Sequence, residues 1–186
     1  MRPAPGRVLA VVVGIALDCG CGRRVDGYVL DGRPVDTVVR LRPDGAFERQ
    51  VIAEGVCGSA TFRSLVDAIE GSDVIVYVSM RPVRDRRVNG HLEFLAATAT
   101  DRVLRAVFGF PLDRATRIAA LGHELQHAVE VAAAPDVRTG QAFEAYFSAH
   151  GRPSSAGRGY ETDAARRTEL QIRLELARPA SCRPGS

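Results

Sequence analysis

In the stretch LGHELQHAVE (121–130), two histidines and a glutamate stand at a spacing that can do chemistry. An α-helix turns once in about 3.6 residues, so His123 and His127 project one above the other and their imidazoles can reach a single ion. Glu124 lies about 100° around the helix from His123. From there it cannot easily bind the same ion beside both rings, but it can hydrogen-bond a water in an open coordination position. Zn²⁺ held with such an opening lowers the pKa of its water to about 7, and a carboxylate can take the proton during attack on a carbonyl. The chemistry this spacing points to is metal-assisted hydrolysis with Glu124 as general base. The bare pattern also arises by chance on helices. Here, however, Leu121, Gly122, Leu125, Gln126, Ala128 and Val129 around it are all uncharged, as on a helix packed on both sides. Burying two histidines and a glutamate without partners would cost several kcal/mol, so a metal or an equivalent network is expected.

The elements that must position this stretch follow from caps and periodicity. Asp113 caps a helix predicted to run to about Ala134, where Pro135 stops it. Upstream, Phe62, Leu65, Val66 and Ile69 share a helical face, with Ser59 as N-cap and Gly71 as stop. Residues 73–80, 90–98 and 102–110 read as three strands, for which antiparallel hairpins are the simplest pairing. Between Gly22 and Gly55 the runs YVL, TVVRL and FERQVI read as irregular β-hairpins. Downstream, GQAFEAYFSAHG places Phe143, Tyr146, Phe147 and His150 on one helical face. A last helix is expected from about Tyr160 to Ala177, after the loop RPSSAGRG. The fold class is therefore α+β: one helix, a small antiparallel sheet, the histidine-bearing helix and two further helices.

Composition narrows the partners. The 186 residues are 46% hydrophobic and 25% charged, an ordinary globular balance that fits one domain. A net charge of +3, carried by scattered arginines with no lysine, argues against a nucleic-acid footprint. Residues 1–21 carry Arg2 and Arg7 before an apolar run, Val8–Leu17, too short to span a bilayer. That run reads either as a signal-peptide core or as a buried strand, and an exported location, periplasmic or extracellular, is expected ahead of a cytoplasmic one. Cys19, Cys21, Cys57 and Cys182 have no zinc-knuckle spacing and fit either disulfides or free thiols. The expected organisation is a possible signal peptide or strand (1–21), a β-rich segment (22–58), the domain with the histidine motif (59–178) and a tail (179–186).

The sequence HELQH (123–127) resembles the signature of the zincin metallopeptidases. That resemblance implies a zinc peptidase acting on a peptide or protein, with the motif helix preceded by a helix and a small sheet. The metzincin extension is absent, since Glu130 and Ala133 stand where its glycine and third histidine would be. The remaining pattern is gluzincin-like, with a glutamate from a later helix as third ligand, and Glu161 fits that place. Ala165 stands where the family's clearer versions have an aspartate; Asp163 is the nearest rival, as ligand or as acceptor for a ligand histidine. Glu130 follows His123 and His127 on the same face and fits a supporting place behind them, while Glu144 reads as a solvated charge. An oxyanion donor is also needed. Tyr160 and His150 are the candidates, each with a plain structural role as alternative; Arg158 and His91, the latter on a strand that could rim a cleft, are weaker ones. The edge strand 90–98 could hold an extended peptide by backbone pairing. The other class of function is a metal-stabilised binding or scaffold protein in which no water is activated.

Overall fold

The computed structural model describes residues 29–30, 33–34, 39–82, 89–154 and 159–178. In chain order these form a short hairpin, β1 (Val29–Leu30) and β2 (Arg33–Pro34), then β3 (Leu41–Pro43), α1 (Ala46–Gly58) and α2 (Ala60–Glu70). There follow β4 (Val74–Pro82), β5 (Gly90–Ala97), β6 (Arg102–Phe110), α3 (Arg114–Ala132) and α4 (Gly140–His150). A second hairpin, β7 (Arg152–Pro153) and β8 (Tyr160–Glu161), leads into α5 (Asp163–Leu176). The architecture is mixed α+β around a small sheet.

The sheet differs from the expected row of antiparallel hairpins. Its order is β3–β4–β6–β5, with β3 parallel to β4, β4 parallel to β6, and only β5 antiparallel to its neighbour. β4 and β6 run side by side from Val74 opposite Arg102 to Pro82 opposite Phe110. Both are rich in valine and bury Val74, Val76, Val78, Leu104, Ala106 and Phe108. Strands this apolar take the centre of a sheet under a helical layer, whereas β5 keeps exposed positions and is left at the edge. Chain order predicted the β5–β6 hairpin but not the insertion of β6 between β4 and β5.

The second correction is α1, where FERQVI was expected to be extended. Almost every residue from Val51 to Cys57 is buried, so no amphipathic stripe marks the helix, and its N-cap, Gly45, supplies no side-chain hydrogen bond. Both sequence signals of a helix are missing, and tertiary burial decides the outcome. Together β3 and α1 put Leu41, Val51, Ile52 and Val56 into the same hydrophobic core as the motif helix.

The other helices follow their signals. Ser59 caps α2, Asp113 caps α3, and Thr139 caps α4, each accepting from a backbone N–H in the first turn. Helices α1, α2 and α3 touch one another and the sheet, and α5 lies on α3 and α2. The α3–α5 approach is close because Gly122 has no side chain: a Cβ there would lie 2.2 Å from Ile172 Cδ1. The last helix starts later than predicted. Glu161 belongs to β8, and Thr162 is the N-cap of α5, accepting from the Ala165 N–H.

Cys57 is buried and disulfide-bonded. The apolar run 8–17, the other three cysteines, Arg158 and the tail 179–186 lie outside the described residues. Among the described residues no helix is long and apolar enough to cross a membrane.

Candidate metal centre

Helix α3 is buried along most of its length, and the motif sits in its middle: His123, Glu124 and His127 are 7%, 5% and 5% exposed. The two rings face each other edge to face with centroids 4.9 Å apart, as the one-turn spacing requires. Glu161 reaches them from β8, and its Oε2 lies 3.0 Å from His123 Nε2. One ligand atom from each of His123, His127 and Glu161 can be chosen so that all lie within 4.8 Å of one another.

Behind each imidazole stands another carboxylate. His127 Nδ1 donates to Glu130 Oε2 at 2.9 Å, since an ionised carboxylate can only accept. That fixes the tautomer and leaves Nε2 for an ion. Glu130 thus has the supporting place expected of it. His123 Nδ1 lies 3.2 Å from Glu169 Oε2, within ion-pair range but off the line a hydrogen bond needs. Glu169 is itself held by Arg173, whose Nε and Nη2 donate to its Oε1, while Arg173 Nη1 donates to Thr116 on α3. Sequence reasoning missed Glu169. The available signal was its position four residues after Ala165 and three before Ile172, on the face of α5 that is buried against α3.

The electrostatics describe a site short of positive charge. Burial alone would lower the pKa of His123, but the Glu161 and Glu169 carboxylates, with the charge of Glu124, outweigh it and raise it to about 10. The close approach of His123 in turn holds Glu161 below the usual carboxylate range and takes Glu169, also held by Arg173, to about 2. Burial drives Glu124 the other way, and nearby Glu161 adds to that rise against the pull of the two histidines. A proton on His123 is favoured by the acids around it. Binding a divalent ion would displace it.

The donor set fits such an ion. Two imidazoles and one carboxylate are an N₂O set suited to zinc, whose bonds of about 2.0–2.2 Å place neighbouring ligand atoms about 3.3 Å apart. The His123–Glu161 separation of 3.0 Å is close to that spacing.

The cluster opens into a cleft of about 1170 Å³. Glu124, His127 and Glu161 line it together with β5 residues Gly90, His91 and Leu92 and α4 residues Phe143 and Phe147. Gly90 is required by this crowding: a Cβ there would meet Glu124 Oε1 at 2.9 Å and the Val107 carbonyl at 2.7 Å. Phe147 packs edge-on against His127 with centroids 5.0 Å apart and forms an apolar wall beside the site.

The remaining candidates separate clearly. Tyr160 lines the cleft beside Glu161 and is 39% exposed. His91 also lines it, with Nε2 3.0 Å from Glu93 Oε1. Glu144 is an exposed charge on the cleft wall. His150 is not brought to the cluster: it is exposed, stacks on Tyr146, and its Nδ1 donates to the Tyr146 carbonyl at 2.8 Å, so its place is the end of α4. Asp163 is exposed at the start of α5 and pairs with Arg152 at 3.3 Å, outside the ligand group. Comparison with known proteins finds no matching family model, no similar curated protein and no similar solved structure.

Proposed function

We propose that the protein is a zinc-dependent hydrolase acting as a peptidase, with His123, His127 and Glu161 as ligands. The observation that carries this reading is the meeting of that group with buried Glu124 on the wall of one large cleft. A bound zinc would supply a water with its pKa lowered to about 7. Glu124, buried on the same helix between the two histidines and lining the cleft, would accept the proton from that water. Glu130 orients the His127 ring through its hydrogen bond, and Glu130 and Glu169 would both offset the charge of a bound ion. Tyr160, on the cleft wall next to Glu161, is the candidate to donate to a developing oxyanion in preference to His91, which is paired with Glu93, and to His150, which lies away from the cluster.

A peptide substrate is supported by β5. It is an edge strand that pairs only with β6 among the described residues, and its first three residues line the cleft. An extended chain could add to that edge through backbone hydrogen bonds, which would make recognition tolerant of sequence. Phe143, Phe147 and Leu92 offer apolar surface to a side chain of that chain.

A second reading is a metal-stabilised scaffold. It draws on the fact that Glu161 and His123 join β8 to α3, so an ion there would clamp two parts of the fold without turnover. The Glu124→Gln variant separates the readings. In a hydrolase it keeps zinc at wild-type stoichiometry while casein or peptide cleavage falls about 10²–10⁴-fold; His127→Ala loses both. Unchanged cleavage in Glu124→Gln would sink the hydrolase reading.

A further inference from the structure

Glu161 stands on a two-residue strand outside any helix, with its side chain 29% exposed. Its own element does little to fix its distance from α3. The next residue, Thr162, is 6% exposed and uses its hydroxyl twice. The oxygen accepts the Ala165 N–H at 3.1 Å, which caps α5, and the O–H donates to Glu130 Oε1 at 2.7 Å. The other oxygen of Glu130 accepts from His127 Nδ1. A continuous chain of hydrogen bonds therefore runs from one candidate ligand, His127, through Glu130 to the residue adjoining another, Glu161.

The type of residue matters here. Asparagine, aspartate and serine cap helices at least as well as threonine, so capping alone does not require this side chain. An ionised aspartate could accept from Ala165 but has no proton to give to Glu130. The hydroxyl is what allows one side chain to cap α5 and to tie its start to α3.

We propose that Thr162 is a positioning residue of the metal centre: its bond to Glu130 holds Glu161 within 4.8 Å of both imidazoles and keeps the Glu130 carboxylate on Nδ1 of His127. This inference rests on the metal-centre reading above. Removing a partner of this kind typically weakens metal binding by about 10–100-fold.

Three variants test it: Thr162→Ser keeps both bonds, Thr162→Asp keeps the cap but not the donor, and Thr162→Val loses both. Zn²⁺ affinity is read by competition with a chelator, at a temperature where circular dichroism shows each variant folded. The visible spectrum of the Co²⁺ form reports the ligand geometry. Thr162→Ser should bind as the wild type does and keep its Co²⁺ spectrum. Thr162→Asp and Thr162→Val should both bind about 10–100-fold more weakly with altered spectra. Wild-type affinity and spectrum in Thr162→Asp would overturn the inference and leave Thr162 as a helix cap. A wild-type protein that takes up no Zn²⁺ would instead remove the metal centre itself, and the inference with it.

Discussion

Helix α3 carries two buried polar clusters, and they are built in opposite ways. At its C-terminal end Arg102, 1% exposed, spends all five of its N–H donors on protein. Nη1 donates to the carbonyls of Val131 and Ala134 at 2.6 and 2.7 Å, Nη2 to the carbonyl of Ala132 at 3.1 Å, and Nε and Nη2 to the two oxygens of Asp73. The guanidinium thus closes the end of the helix, where the helix dipole favours a cation, and its hydrogen bonds hold Asp73 below the usual carboxylate range. In the middle of the same helix the balance is reversed. Glu124, Glu130, Glu161 and Glu169 surround two imidazoles, and His123 Nδ1 has no aligned partner. A saturated cluster holds the fold together by itself; one rich in carboxylates could be completed by a metal ion.

This contrast can be broken by mutation. The largest effect is expected at the saturated cluster: Arg102→Met removes all five of these hydrogen bonds, leaves Asp73 only Arg138 at 3.6 Å, and should lower stability to urea by about 3–5 kcal/mol. The folded fraction of this variant should still gain stability from zinc. A loss below about 1 kcal/mol would put Arg102 among ordinary exposed ion pairs and end the contrast.

At the other cluster the expected change is a gain. Zinc at a hundred times its Kd should stabilise the wild type by about 2.7 kcal/mol, reversed by a chelator. His127→Ala should show no such gain. If thermal melts of wild type and His127→Ala respond alike to zinc, the ion binds somewhere else.

The smallest effect concerns Glu175 on α5, a carboxylate satisfied in the manner of the Arg102 cluster. Burial opposes its ionisation, but it accepts from Ser59 Oγ, Gln171 and both the N–H and hydroxyl of Thr61, which takes its pKa to about 2 from an ordinary 4.5. A folded-state value below the unfolded one contributes stability that is fully present above about pH 4.5 and is lost as the pH falls towards 2. Metal-free wild type should therefore lose more stability than Glu175→Gln across that window, measured by urea unfolding at each pH. Parallel curves would show that these hydrogen bonds contribute nothing specific to the charged form.

Legibility in the sequence followed how local each signal was. The α2, α3 and α4 helices carried their own caps and periodicity, and the pairing of His123 with His127 needed only the pitch of a helix. Helix α1 was hidden because it is buried nearly all round and lacks a side-chain cap. The place of β6 between β4 and β5 was hidden because strand order is set by which runs must be covered on both faces. Glu169 lay in plain view on α5, four residues after Ala165, but its meeting with His123 depended on where α5 crosses α3.

The sequence alone determined that two imidazoles and the Glu124 carboxylate would share one helix, because that depends on backbone geometry within a few residues. It proposed Glu161 through a resemblance and left Asp163 as a rival. Only the tertiary structure chose between them, turning Asp163 towards Arg152 and setting Glu161 3.0 Å from His123. The reason is physical: contacts across more than thirty residues are fixed by how close two helices can pack, here by Gly122 against Ile172, and no local pattern encodes that approach.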